Sequence, residues 1–316
     1  MSARTGWTDR QMPAGDEVFL DHVGFFVQDL DDAGRRLARL GFQVSAVNVQ
    51  TNDIEGELRP SGTSNRLARL RRGYLEILAA THDTPLAGQL VKALARYEGL
   101  HLVALSHDDI SGQRTRLSAA GFPMQEVVHL RRRDRTLAGA PEVAWTVLRP
   151  QPGAMPEGRV QFAKSHNPDR VWQADQTVHA NTADALTDLL ICVEDRSETA
   201  ARYARYTNRP FTNAGALSVV ALDRGRLVFA EPDAAAALGL APPTLPCIAG
   251  QALRSTDIST TRRVLAANGV TPAYVDDALV LVDPRDALGG ALLFHSATIS
   301  EPWAALADRN PMRPGA

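Results

Sequence analysis

Short apolar runs and amphipathic stretches follow one another along this chain in a fixed order. The first run, Val18 to Val27, is apolar apart from Asp21 and His22, which reads as a buried strand with a polar side chain in its interior. Asp29, Asp31 and Asp32 then offer N-capping carboxylates to a helix whose apolar positions Ala33, Leu37 and Leu40 recur at helical spacing. Gly41 ends that helix. Two or three strands follow, closing with Asn65 to Leu70 and Gly73 to Ala79, so the unit is strand, helix and strand meander.

The unit recurs three more times. A second copy opens at Gly99 to Leu105, passes through a helix capped by Asp108 and Asp109, and ends at Gly158 to Phe162; Leu40-Gly41-Phe42 and Ala120-Gly121-Phe122 mark the same helix-to-strand corner in both copies. A third runs from Thr187–Asp195 to Gly225–Ala230, and a fourth from Cys247 through a helix over 258–267 to Gly290–His295. Four copies of one βαβββ pattern predict an α+β protein built as two paired domains. The expected division is a flexible N-terminus over 1–16, a first domain over 17–174, a second over 175–300 and a tail over 301–316.

Composition narrows the function classes. With 44% hydrophobic residues the chain can build ordinary cores, and 34 basic against 36 acidic residues give a formal charge of -2. That balance supplies no pull toward nucleic acid or an acidic membrane surface. The basic cluster Arg131 to Arg135 reads as a solvated hairpin or loop rather than a phosphate site. Only Lys92 and Lys164 are lysines, the bias of a GC-rich bacterial genome. Cys192 and Cys247 are too few for a disulfide framework and read as buried thiols. No apolar segment has membrane-spanning or signal-peptide character, so the expected location is the cytoplasm.

Chemistry begins at Glu76, whose carboxylate stands inside the apolar run Tyr74-Leu75-Glu76-Ile77-Leu78. A buried charge needs a partner, and a metal ion is one candidate. The four modules, the Leu20-Asp21-His22-Val23-Gly24 opening, the Gly62-Thr63-Ser64-Asn65 segment and the Gly73-Tyr74-Leu75-Glu76 strand together resemble the vicinal oxygen chelate (VOC) superfamily, and within it the glyoxalase-like proteins with a duplicated domain. The resemblance covers residues 18 to 296. It implies that each pair of modules curls into an open cup of antiparallel strands, with a divalent metal held by residues of the first and last strands. His22 and Glu76 then point into one concave sheet, and His101 is expected at the matching first-strand position of the second module. Two imidazoles and a carboxylate leave coordination positions open for substrate. The fourth ligand position falls on Gln161, where the family commonly has Glu, and this puts the general base in question; Lys164 and His166 are candidates for the missing basic group. Zn, Ni, Co, Mn and Fe all remain open as the cofactor.

Gly62, Thr63 and Asn65 are expected in a turn at the rim of the cup, with Tyr74 and Trp172 as aromatic wall. His82, His107 and His129 read as surface residues, and His179 as a brace between domains. In modules three and four Asp188, Ala249 and Val228 stand where His22, His101 and Glu76 stand, so the second cup is expected to be free of metal unless His295 revives a site. This leaves the second domain to cover the first, shape its pocket, or make a subunit contact in a homodimer. The ligand set in the first pair of modules resembles the isomerase, epimerase and lyase branch: a metal-dependent lyase or isomerase chelating a small substrate through vicinal oxygens and stabilising an enolate or oxyanion. The alternatives are an extradiol-type dioxygenase on a catechol-like aromatic and a non-catalytic binding or resistance protein.

Overall fold

The computed structural model describes residues 10–309 apart from 55, 56, 135 and 136; residues 1–9 of the expected flexible N-terminus, 310–316 of the expected tail and Arg135 of the basic cluster lie outside these, while 302–309 of the tail form a helix. The first module comprises β1 (Phe19–Phe26), α1 (Leu30–Arg39), β2 (Asn48–Ile54), β3 (Glu57–Arg69) and β4 (Tyr74–Ala80). A connecting helix, α2 (Pro85–Leu94), leads to β5 (Gly99–Ser106), α3 (Ile110–Ala119), β6 (Val128–Arg133), β7 (Glu142–Leu148) and β8 (Arg159–Ser165). The short helix α4 (Pro168–Val171) then leads into the second half: β9 (Ala183–Cys192), α5 (Arg196–Thr207), β10 (Phe211–Ala214), β11 (Leu217–Ala221), β12 (Arg226–Ala230), α6 (Pro232–Ala237), β13 (Cys247–Ser255), α7 (Ile258–Ala267), β14 (Tyr274–Val275), β15 (Leu279–Val282), β16 (Ala291–Ser296) and α8 (Pro302–Arg309).

Each of α1, α3, α5 and α7 starts at an aspartate, Asp29, Asp109, Asp195 and Asp257, whose carboxylate accepts from backbone N–H groups of the first turn. Capping of this kind fixes where each helix begins, and so fixes how each strand enters it.

Two eight-stranded mixed sheets result. Their orders are β2-β3-β4-β1-β5-β8-β7-β6 and β10-β11-β12-β9-β13-β16-β15-β14. In each, first strands meet antiparallel at the centre (β1 with β5, β9 with β13) and are flanked by the last strands in parallel pairing. A continuous core joins the halves: Leu37, Leu117, Ala200 and Leu265 from the four helices pack with Val23, Val103, Leu189 and Leu253 from the backs of both sheets. The second sheet therefore covers the back of the first and leaves its concave face open. Among the described residues no helix is long and apolar enough to cross a membrane.

Gly62 to Asn65 do not form a turn. They lie within the 13-residue strand β3, and Gly62 is required there because it holds a φ of +97° and a Cβ would meet Thr84 Oγ1 at 1.9 Å. His107 is buried rather than on the surface; it accepts from the N–H of Asp109 and meets the amide of Gln113.

Candidate active site

The central pairing of the first sheet lines up two rows of side chains across its concave face. One row is Gln161, Ala104, His22 and Tyr74; the next is Arg159, Leu102, Gly24 and Glu76. Small residues in the middle, Ala104 and Gly24, open the floor, and a cavity of ≈ 260 Å³ stands above it. His22, Glu76 and Gln161, on three different strands, all line that cavity, as do Asn65 and Tyr74.

Each polar group at the floor is held from behind. Asp21 Oδ2 accepts from His22 Nδ1 at 2.7 Å, which turns Nε2 toward the cavity. Glu76 Oε1 accepts from Asn65 Nδ2 at 2.6 Å and from Gln50 Nε2 at 3.1 Å, while Thr63 Oγ1 donates to Gln50 Oε1 at 2.6 Å and fixes that amide. Glu76 Oε2 is left facing His22 Nε2 at 3.8 Å. Tyr74 stacks on the His22 ring, centroids 4.3 Å apart. Gln161 Oε1 accepts from Arg149 Nε at 2.9 Å. His22 Nε2, Glu76 Oε2 and Gln161 Oε1 thus offer three donors of nitrogen and oxygen type, the number that an open divalent-metal site takes. Among the described residues no three His, Cys, Asp or Glu side chains are placed to hold a metal ion by themselves, so any ion in this cup depends on the amide.

Two arginines complete the lining. Burial lowers the pKa of Arg159 to about 10, with the like charge of Arg149 adding to the effect and Glu76 opposing it. Burial lowers Arg149 as well, again opposed by Glu76. Both remain cations at neutral pH.

The profile of the family described as a glyoxalase-like domain matches residues 20–207, more than half of the chain. This protein belongs to the glyoxalase-like domain family. Its fold is that of the VOC superfamily, two glyoxalase-like cups of duplicated modules. A hypothetical protein from Staphylococcus aureus superposes with a TM-score of 0.62 at 11% identity, over 88% of this chain and 99% of that one. A mutant of 4-hydroxymandelate synthase from Streptomyces coelicolor gives 0.60 at 14%, over 94% and 98%. A Mn(II)-bound glyoxalase from Novosphingobium aromaticivorans gives 0.52 at 9%, over 89% and 82%. No curated protein matches the sequence.

Several glyoxalase-like candidates read from the sequence lie elsewhere. His101 does not enter the cup. Strand β5 carries a β-bulge at this residue, because Gly24 pairs with Leu102 and Phe25 with Leu100, which leaves His101 as the extra residue without a cross-strand partner. The N-caps Asp29 and Asp109 are eighty residues apart, and eighty residues beyond His22 is Leu102. Leu102, 2% exposed, therefore fills the slot matched to His22 and leans over Gly24. His101 instead matches Asp21; its Nε2 donates to the Tyr97 carbonyl at 2.8 Å, and it stacks on Tyr97. It lines a second cavity of ≈ 320 Å³ that shares Arg149 and Arg159 with the first.

Lys164 points away from the cup, because on β8 only Arg159, Gln161 and Ala163 face it, and it bonds Asp108 Oδ1 at 2.7 Å. His166 lies past the end of β8 and meets Thr146 Oγ1 at 2.8 Å. Trp172 packs against Tyr74, centroids 5.8 Å apart, without lining the cavity. Gly62 meets Thr84, and Thr63 acts through Gln50. His179 braces the two halves: it accepts from Gln43 N–H at 3.0 Å and donates to the Arg69 carbonyl at 2.8 Å. Asp21, Gln50, Arg149 and Arg159 were missed. Arg159 stands two residues before Gln161 on the same strand, so period-two alternation places both in one cup.

The second glyoxalase-like cup is filled. At the slot of His22, Asp188 takes a bidentate contact from Arg226, 2.5 and 2.9 Å, which uses both carboxylate oxygens. Trp303 of α8, 1% exposed, packs over Leu190, Val228 and Leu293 and leaves a residual space of ≈ 10 Å³. His295 is buried against Thr187 Oγ1 at 2.9 Å.

Proposed function

We propose that this protein is a metal-dependent lyase or isomerase that holds a small substrate through two neighbouring oxygens in the N-terminal cup. The observation that supports this best is the facing pair His22 Nε2 and Glu76 Oε2, 3.8 Å apart, with the opposite atom of each side chain already tied to the protein. His22, Glu76 and Gln161 would hold the ion. A divalent cation bound there supplies Lewis acidity toward an enolate or oxyanion as it develops.

The remaining work falls to the chain's own groups. Asp21 keeps the proton on His22 Nδ1, so that the Nε2 lone pair faces the cup. Asn65 and Gln50 hold Glu76 so that Oε2 alone faces inward. Gln161 is neutral and accepts no proton. Glu76 is then the one carboxylate lining this cavity among the described residues, and it would be the proton acceptor for a bound substrate when Oε2 is not engaged in holding the ion. Leu130, Trp145 and Val147 form an apolar wall that excludes water around the reacting atoms.

The test is metal analysis of the purified protein and of His22→Ala, with anaerobic turnover of hydroxy-ketones and hemithioacetals. Stoichiometric divalent metal that is lost in His22→Ala, with oxygen-independent turnover, supports the reading. Turnover that consumes dioxygen with catechols replaces it by the dioxygenase reading. No metal under any reconstitution refutes both enzyme readings.

A further inference from the structure

Arg159 is a half-buried cation whose guanidinium has no hydrogen-bond acceptor among the described residues. It lies 5.2 Å from the ring centroid of Phe26 and faces the cavity above His22 and Glu76. Arg149 beside it spends Nε on Gln161, and its remaining N–H groups have no acceptor among the described residues. Removing such charges from bulk water is costly when nothing pairs with them. A chain that keeps two guanidiniums at one cavity wall therefore points to a ligand that brings the counter-charge.

The sign and size of that counter-charge follow from the lining. Against the two guanidiniums, Glu76 is the only carboxylate in the cup among the described residues, so the wall carries one net positive charge before His22 is counted. The second cavity, on the other side of the same two arginines, adds Lys92 and Arg96 and, among the described residues, has no Asp or Glu in its lining. Among the described residues Gln161 Oε1 is the one acceptor bonded to either guanidinium, and Glu76 is the one carboxylate that acts on them. In the metal-free cup a monoanion matches that single excess charge. The planar N–H fork of Arg159 also matches the two oxygens of a carboxylate.

We propose that Arg159, assisted by Arg149, is a carboxylate-binding site, and that the substrate of this cup is a small organic acid whose carboxylate docks there while its reacting carbon lies over His22 and Glu76. The placement of the reacting carbon rests on the function proposed above; the anion site does not. Holding the carboxylate at the arginine wall orients the acid so that its neighbouring oxygens face Glu76 and Gln161, and discriminates against neutral analogues of equal size.

Calorimetric titration of the full-length, metal-stripped protein with pyruvate, with methyl pyruvate as the neutral analogue and with inorganic phosphate, tests the site apart from any metal. Pyruvate is expected to bind at least about tenfold more tightly than methyl pyruvate, a difference of about 1.4 kcal/mol, and more tightly than phosphate. Arg159→Met is expected to abolish that preference, Arg159→Lys to retain part of it, and Arg149→Met to weaken it less. Arg159→Met is also expected to melt at or above the wild-type temperature, since it removes an unpaired cation; this shows that it folds. Equal binding of pyruvate by wild type and Arg159→Met, no binding of pyruvate by wild type, or tighter binding of phosphate overturns the proposal. His22→Ala, measured in parallel, separates the two readings: loss of metal with pyruvate binding intact supports both, and retention of metal refutes only the metal site.

Discussion

Substituting His101 by leucine distinguishes a ligand from a packing residue, and its consequences can be worked out in both stability and metal content. In the structure His101 Nε2 donates to the buried carbonyl of Tyr97, and the ring stacks on Tyr97 at 3.9 Å and near Phe26 at 5.2 Å. Leucine keeps the apolar volume. It loses the hydrogen bond and strands the carbonyl, about 1–3 kcal/mol, and loses the ring stacking, about 0.5–1.5 kcal/mol. A net cost of about 2–3 kcal/mol at pH 7.5 is expected. Metal content is expected to be unchanged, while His22→Leu is expected to lose it.

The same variant carries a pH signature. Burial lowers the pKa of His101 to about 4, partly offset by the bond to Tyr97, from about 6.5 in the unfolded chain. The unfolded state therefore binds the extra proton first, and wild-type stability falls as pH drops from about 6.5 toward about 4. The loss amounts to about 3 kcal/mol over that window. His101→Leu is free of this loss, so its deficit relative to wild type should shrink as pH falls from 7.5 and be close to nil near pH 4.5. Melting curves across pH with inductively coupled plasma metal analysis give both readouts. A folded His101→Leu protein that has lost its metal, or a deficit that stays constant with pH, refutes the placement of His101 outside the cup.

Three further outcomes follow from the two cups. Leu102→His places a second imidazole in the slot matched to His22, and is expected to tighten divalent-metal binding by more than about tenfold, about 1.4 kcal/mol, while lowering the stability of the metal-free protein by about 1–3 kcal/mol for the buried polar ring; competition with a chelator measures the first and melting the second. Asp188→Ala strands the Arg226 guanidinium and should cost about 3–5 kcal/mol, most of it recovered by Arg226→Met in the same background, as read from denaturation of the double-mutant cycle. Trp303→Ala should cost about 3 kcal/mol, toward the low end for a buried tryptophan because its Nε1–H has no acceptor in the described structure, and should leave pyruvate binding by the first cup unchanged.

The modules were legible because each carries local signals that need no tertiary contact: an aspartate before the helix, a glycine at the corner after it in three modules and the left-handed Asn208 in the third, and apolar strands around them. The ligand slots were legible only in part. Glu76 and Gln161 sit on regular strands, where alternation predicts the face, and both line the cup. His101 sits on a bulge, and alternation carries no information across an inserted residue. The equal spacing of Asp29 and Asp109 held the correct register, since it places Leu102, not His101, opposite His22. Gly62 misled for a different reason: its positive φ serves close packing against Thr84 within a long strand, and composition does not distinguish that from a turn.

The second cup acts as an internal control on what makes the first one a site. Both halves share strand order, helix capping and central pairing, so the backbone is common to the two. In the first, His22 neighbours Tyr74 and its nitrogen is left to the cavity; in the second, Asp188 neighbours Arg226 in the same register and spends both oxygens on it. Gly24 opens the floor of one, while Leu190 closes the equivalent place in the other, and Trp303 fills what remains. Unpaired arginines at an open cavity and a paired arginine beneath a tryptophan are two uses of one cup. The difference between an open cup and a filled one in this chain therefore lies in a handful of lining side chains rather than in the glyoxalase-like fold that carries them.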